Sequence, residues 1–550
     1  MIIYPTRQQA QMIDKYTQEC IGIPGLVLME KAAEVLADEI DKRIASGEKS
    51  DKLYGFRKPY DKILAVVEGG NNGGDAVAAA RILKTKGYDT YVYEINGIKN
   101  KTESYIKQIE IAKKLGVGFV DDLSQISDFR VIIDGIFGVG LTREVTGIQS
   151  DAINMINAVA TEGIFIAATD ISSGISSDTG EILGNAVNAD LTVTFQYIKY
   201  GMLIGKGREA SGAIVCRDIG LYDAKSLSDM KKVLDTDESL ADQKLIYEFD
   251  DEDIASRIPK RDSDSNKGTY GKVLILAGSK DVYGALYLSA EVCLRTGAGL
   301  VKVVTDERNK AVLSEKLPES MCLTYDTDEV TESKTFAEEY KKAISWADVV
   351  LAGPGLGTGD ASRMLLELMM ENISSGKQLI LDADALNILA ESGKEKWLKL
   401  LRDKLGYENV IITPHLAEMS RLTGDKVEYI KDNKFDVAKR FTDEFGAITI
   451  LKDARTVVSC TGYLSDKKEM PAYINTTGNS GMSTAGSGDV LSGILAGILA
   501  QNKDERITAY EAACLAVNIH GRAGDLARDT LGEHGLIAGD IIAALPAILR

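Results

Sequence analysis

The sequence predicts an α/β chain of two domains, each built on a mostly parallel sheet covered on both faces. Three observations carry this expectation. The chain has 550 residues, more than one ordinary hydrophobic core organises, so roughly two to four domains are expected. Short apolar runs alternate with stretches of helical spacing, the pattern of strands buried on both sides. The alternation stops in a charged stretch and then begins again.

Taken in order, residues 1 to about 42 place apolar side chains three and four apart, around Met12–Ile13 and between Leu26 and Val35, and predict helix. Residues 63–67, 90–95, 131–133, 164–168 and 214–215 read as strands, and 75–86 as a helix. Residues 226–265 are rich in charge and read as a connector with a short helix at 250–257. A second series of strands follows at 272–277, 300–304, 348–351, 379–381, 410–412 and 448–451, and an apolar helix starts at Val490. The expected domains are therefore 1–225 and 266–550. Ligands of such sheets bind where strands end, so the loops after these strands are the ones to read.

Composition narrows the function classes. A net charge of −18, with 45% apolar and 27% charged residues, describes a globular protein with an acidic surface. Such a surface repels nucleic acid and anionic membranes, and neither is expected as a partner. No segment has the apolar length of a membrane span, and the first residues lack the basic start and apolar run of a secretory signal. The six cysteines (Cys20, Cys216, Cys293, Cys322, Cys460 and Cys514) form no CxxC pair, which fits a reducing cytoplasm. With three histidines, His415, His520 and His534, a histidine-rich zinc site is not expected.

In the first series, residues 68–75 read EGGNNGGD, with four glycines and two asparagines between a strand and a helix. The offsets are not those of the GxGxxG dinucleotide fingerprint. Glycines there allow close ligand approach, and the amides and the carboxylate add donors and acceptors. The next loops carry Asp134 with DGIFGVGLT, and Asp170 and Ser173 with DISSGISSD. Asn72, Asp134 and Ser173 make an oxygen-donor trio of low charge, suited to a weakly bound alkali cation. In the second series, NTTGNSGMSTAGSGD ends at Asp489 and opens a helix, the arrangement that holds anions on backbone N–H groups. GPGLG ending at Gly357, Thr413-Pro-His415 with Glu418, and the segment from Lys452 to Thr456 follow other strands.

Together NNGGD, DGIFGVGL, DISSGISSDTG, ADLTVTF and CRDIGL resemble the NAD(P)H-hydrate epimerase family over about residues 1–225. KGTYGKVLILAGS, TGAGLV, GPGLG, DADALN, TPH and NTTGNSGMSTAGSGDVLSG resemble the ribokinase-like NAD(P)H-hydrate dehydratases over about 265–545. Four departures stand out: Ala76 and Ser172 in the first half, TPHLAE for TPHPGE, and Asp453 where a glycine is usual. The last questions the backbone path beside Lys452.

The resemblance implies a Rossmann-like three-layer sandwich followed by a ribokinase-like α/β domain. It implies hydrate binding by Asn71, Asn72, Gly73, Gly74 and Asp75, by Gly138, Val139, Gly140, Leu141, Thr142, Arg143 and Glu144, and by Asp170. Potassium would lie on Asn72, Asp134 and Ser173. In the second half it implies hydrate contacts at Ala285, Gly357, His415 and Asp489. Nucleotide contacts would come from Lys452, Asp453, Ala454, Arg455, Thr456 and Gly488, with Gly486, Ser487 and Gly488 steadying developing charge. Asp170 is the expected epimerase base, with Asp134 the alternative, and Asp489 the expected dehydratase base. The expected substrates are hydrated NADH and NADPH, and the nucleotide, with magnesium, is ADP or ATP, ADP being the preferred reading. A cytoplasmic homo-oligomer is expected. Two other readings stay open: a small-molecule kinase with an accessory domain, and a nucleotide-sensing binding protein.

Overall fold

A computed structural model describes residues 1–47, 52–95, 101–237, 245–407, 409–461 and 472–550. The chain divides into two compact units, one of residues 3–246 and one of residues 1–2 with 247–550.

The first unit holds seven parallel strands: β1 (Lys62–Val67), β2 (Asp89–Glu94), β3 (Gly118–Phe119), β4 (Phe129–Gly135), β5 (Phe165–Thr169), β6 (Leu191–Phe195) and β7 (Ala213–Arg217). Their order is β3-β2-β1-β4-β5-β6-β7. Alternation along β1 sends Ile63, Ala65 and Val67 to one face and Leu64 and Val66 to the other. The first face packs against α2 (Gly25–Ser46), α3 (Asn71–Thr85) and α4 (Glu103–Lys114), the second against α5 (Gly147–Ala160). This is the three-layer sandwich expected. The chain leaves β1 toward β2 and β3, then returns to β4 on the other side of β1. The loops after β1 and β4 therefore diverge at a topological switch point, where a crevice opens.

The expected helix over residues 1–42 is interrupted. Helix α1 (Arg7–Tyr16), capped by Thr6, runs into a π-helical turn, Thr17–Ile21, and chain direction changes through Gly22 before α2. Helix α3 begins at Asn71 rather than Asp75, so the asparagines and glycines form its first turn and not a loop. The reading of 226–265 as a connector also changes. Residues 227–234 form helix α6 (Leu227–Leu234), which buries Met230, Val233 and Leu234 against Ile3, Met12, Ile13 and Tyr197. The apolar spacing of three and four makes one face of that helix part of the first unit's core. The short helix near 250 is present as α7 (Asp251–Arg257), capped by Asp250.

The second unit contains β8 (Lys272–Leu276), β9 (Leu300–Asp306), β10 (Met321–Tyr325), β11 (Val349–Ala352), β12 (Gln378–Leu381), β13 (Val410–Ile412), β14 (Ile448–Leu451), β15 (Val457–Ser459) and β16 (Ala472–Ile474). They run in the order β16-β15-β14-β13-β12-β11-β8-β9-β10. Pairing is parallel except for β14-β15-β16, which is antiparallel. On one face α8 (Gly284–Thr296) and α9 (Ser487–Gln501) pack together, with α9 almost wholly buried. Its glycines explain how two helices come so close: a Cβ on Gly493 would stand 2.3 Å from Val292 Cγ1. A second switch point lies between β8 and β11. Among the described residues no helix is long and apolar enough to cross a membrane.

Candidate functional site

The first site is a cavity of about 620 Å³ at the carboxyl ends of β1, β4, β5 and β6. Its floor exists because α3 starts at once after β1. A Cβ on Gly73 would lie 1.8 Å from the backbone oxygen of Glu68, and one on Gly74 2.7 Å from Met29 Cε. These two glycines are buried beneath the site, while Asn71, Asn72 and Asp75 line it. Residues 138–143 line the opposite loop; Glu144 is exposed and outside that lining.

The structure brings the oxygen-donor trio together. Ser173 donates from Oγ and N to the two oxygens of Asp134, at 2.6 and 2.8 Å. The Ser173 hydroxyl also accepts from Phe137 N at 2.8 Å. Asn72 Nδ2 donates to Phe137 O at 3.0 Å, which leaves its amide oxygen unused by described residues. Asp134 is fully buried and has no ion-pair partner among the described residues. Burial pushes its carboxyl up to about 6, against the hydrogen bonds from Ser173 and Ile136 that lower it.

Asp170 follows β5 in the left-handed region, with φ of 64°, a conformation an aspartate holds at a cost. Its Oδ1 accepts from Thr194 Oγ1 and Phe195 N, each at 3.1 Å, and from the buried Lys199 ammonium. All three donors converge on one oxygen, which leaves Oδ2 for the cavity. Lys199 and Asp14 also line this space and carry no motif; sequence reading missed both. Burial, Asp170 and Asp14 together hold the Asp75 carboxyl well above the usual carboxylate range.

The second site gathers the loops after β8, β11, β12, β13 and β14. Gly357 N donates to Asp384 Oδ2 at 2.8 Å, tying the GPGLG loop to DADALN. A Cβ on Gly355 would meet Ala285 Cβ at 2.9 Å, so Ala285 packs against the same loop. Lys452 Nζ lies 2.7 Å from Asp382 Oδ1 and pairs His415 to its own strand end through a backbone bridge. His415 Nδ1 accepts from Ala417 and Glu418 N–H groups, capping the helix that follows. Burial keeps this imidazole below its ordinary value, against the opposing pull of Glu418.

As at the first site, the helix begins early: α9 starts at Ser487 from Gly486, whose φ is 91°. Gly488 and Asp489 are thus first-turn residues. Asp489 is pushed up to about 7 by burial and then by Asp382, with Lys452 opposing. Ser487 Oγ stands 3.3 Å from Nε2 of His520, a half-buried imidazole whose desolvation pushes it down to about 4. Asp453 keeps a negative φ and pairs with buried Lys434, so the missing glycine does not disturb the path beside Lys452. Thr456 closes the turn by donating to Asp453 O at 3.0 Å. Asp382, Asp384 and His520 are members of this site that single-residue reading did not select.

A family model described as NAD(P)H-hydrate dehydratase matches residues 273–547, and one described as YjeF-related protein N-terminus matches 25–201. A bifunctional NAD(P)H-hydrate repair enzyme of Moorella thermoacetica is 30% identical over 99% of this chain and 96% of its own. The chain belongs to the bifunctional NAD(P)H-hydrate repair enzymes. Another such enzyme, from Thermofilum pendens, is 32% identical over 98% of this chain and 95% of its own. Among solved structures, an ADP/ATP-dependent NAD(P)H-hydrate dehydratase of Bacillus subtilis is 26% identical, covering 55% of this chain and 96% of that one, with a TM-score of 0.44. The two sites thus fall one in each half of a repair enzyme.

Gly73→Ala tests how tightly the first site is built. The clash with Glu68 is with backbone, which cannot swing away, so the variant is expected to lose about 1–3 kcal/mol of stability and to lose activity in the N-terminal half alone. Thermal unfolding and separate assays of the two activities check this.

Proposed function

We propose that this enzyme restores NADH and NADPH from their hydrates, epimerising C6 in the N-terminal half and dehydrating one epimer in the C-terminal half at the cost of a nucleotide. The observation that carries the reading is the presence of two candidate sites on one chain. Each is built at a switch point and a helix N-terminus, and each has an ionisable carboxyl among fixed charges. A kinase with an accessory domain gives no work to Asp170 and Lys199.

In the N-terminal half the hydrate lies along Asn71, Asn72 and Asp75 and under residues 138–143. Oδ2 of Asp170 faces it as the base, with Lys199 and two further donors fixing the other oxygen. The fully buried Asp134, with no ion-pair partner among the described residues, fits a potassium ion held with Asn72 and Ser173. That ion would neutralise Asp134 and fix the β4 loop against α3. It also makes Asp134 the poorer base.

In the C-terminal half the nucleotide phosphates meet the first turn of α9, where the N–H groups of residues 486–488 and Lys452 supply positive potential. Asp489 takes the proton of the C6 hydroxyl as its oxygen attacks the terminal phosphorus. Phosphate then leaves C6 with the bonding pair, the ring nitrogen supplying electrons, and loss of a C5 proton restores the dihydropyridine. With ADP the other products are AMP and phosphate. Among the described residues no three carboxylate, histidine or cysteine side chains close on one metal position. Asp382, whose Oδ2 is buried without a hydrogen-bond partner among the described residues, fits a magnesium ion that arrives on the phosphates and needs one or two carboxylates. Such an ion would neutralise charge on the transferred group.

Asp489→Asn is expected to lower nucleotide-dependent dehydration by about two to four orders of magnitude and leave epimerisation unchanged. Because the base must be ionised and burial raises its carboxyl to about 7, wild-type dehydration should fall as pH drops through about 7. Near-normal dehydration in the variant, or a flat profile from pH 5 to 8, excludes Asp489 as base. Replacing potassium by choline should weaken epimerisation and not dehydration; an epimerase rate indifferent to the cation removes the potassium site.

A further inference from the structure

Inverting one carbon asks for proton transfer on both of its faces, and Asp170 reaches only one. Its Oδ1 is held by three donors, so a single oxygen is available. A second group must serve the other face. Three carboxyls besides Asp170 line the cavity: Asp75 on α3, Asp14 on α1 and Glu68 just after β1. They differ in their surroundings. Asp14 accepts a hydrogen bond from Gln18 Nε2 at 2.8 Å. Asp75 has no hydrogen bond or ion pair with any described residue, although it sits on a helix turn fixed from below by Gly73 and Gly74. A carboxyl so placed, without a donor to stabilise its anion, is suited to carrying a proton.

We propose that Asp75 is a second catalytic residue of the epimerase half, the proton donor to the C6 hydroxyl, and that Asp14 is a positioning residue acting through it. The inference rests on the epimerase reading given above. In the forward step Asp75 protonates the C6 oxygen. The C6–O bond breaks with its electron pair leaving on water, and the ring nitrogen's lone pair forms the N1–C6 double bond. Water then adds to the opposite face, the double-bond pair returns to nitrogen, and the added water's proton passes to Asp170. The next turnover runs in the reverse sense, or the proton returns from Asp170 to Asp75 through water. Nothing is oxidised or reduced, and the substrate changes only its configuration.

The charges around Asp75 favour this role. Asp170 and Asp14 face it from the ends of β5 and α1 and oppose its ionisation, and Lys199 partly offsets them. Glu68 and Arg143 line the same cavity; Glu68 accepts from Gln149 Nε2 at 2.6 Å. Asp14 is itself raised, first by burial and then by Asp170.

Full-length wild type, Asp75→Asn and Asp14→Asn are compared in hydrate epimerisation, with potassium present and each epimer quantified by chromatography from pH 5 to 9. Asp75→Asn is expected to lower kcat by about two to four orders of magnitude with KM little changed. Asp14→Asn should keep most of the neutral-pH rate and move the alkaline limb, where Asp75 loses its proton, to lower pH. If Asp75→Asn raises KM and spares kcat, Asp75 only binds and the proposal is overturned. An alkaline limb unmoved in Asp14→Asn removes the positioning role. If the wild type fails to interconvert the epimers, the underlying epimerase reading falls instead.

Discussion

Both sites are built on a helix that begins at glycines: α3 starts almost where β1 stops, and α9 starts at the end of a glycine-rich loop. At the first site Gly73 sits against the Glu68 carbonyl at a separation that a Cβ could not occupy. At the second, Gly486 takes a left-handed conformation and Gly488 lies under the Lys452 ammonium. This constraint places unpaired helix N–H groups, with their partial positive charge, at the mouth of the sheet. It also fixes two acids, Asp75 and Asp489, near the starts of rigid helices rather than on loops. Loosen either turn and the carboxyl moves relative to strand-end partners such as Asp170, Lys199, Asp382 and Lys452, each held by its own strand.

The same economy explains the burial of charge. Asp134, Lys199, Asp382 and Lys434 are all buried, which is unfavourable for isolated ions. Lys199 and Lys434 are matched by Asp170 and Asp453, and Asp382 by Lys452. Among the described residues Asp134 has only hydrogen bonds. Elsewhere the two sites part in chemistry. The first is a half-open cavity with carboxyls on separate walls, which suits proton transfer at one carbon. The second is a ring of loops around a helix N-terminus, which suits phosphates.

Much of this was legible in sequence, and the reasons are physical. Buried parallel strands such as residues 63–67 and 410–412 are unbroken apolar runs, so their positions followed from composition alone. The short edge and antiparallel strands at 118–119, 321–325, 457–459 and 472–474 are too brief or too mixed to show a period. Helix starts were read too late in both halves because asparagine and glycine have poor helix propensity; here packing against the strand end overrides it. Helix α6 hid inside a charged stretch because its buried face is three residues wide. At the sites, motif-borne residues such as Asp170, Ser173, His415 and Asp489 were identified. Lys199 and Asp14 were not, since a lone lysine or aspartate acquires meaning only from the neighbour that the fold supplies.

The central claim is that two sites on one chain share one substrate, the first converting the epimer that the second cannot use. The most direct measurement follows reduced-cofactor absorbance when an equilibrated mixture of hydrate epimers is given to the full-length Asp170→Asn variant with excess nucleotide and magnesium. The account predicts a fast phase that consumes one epimer and then stalls to the slow rate of spontaneous epimerisation, where wild type runs to completion in a single phase. Complete, single-phase consumption by the variant would contradict it.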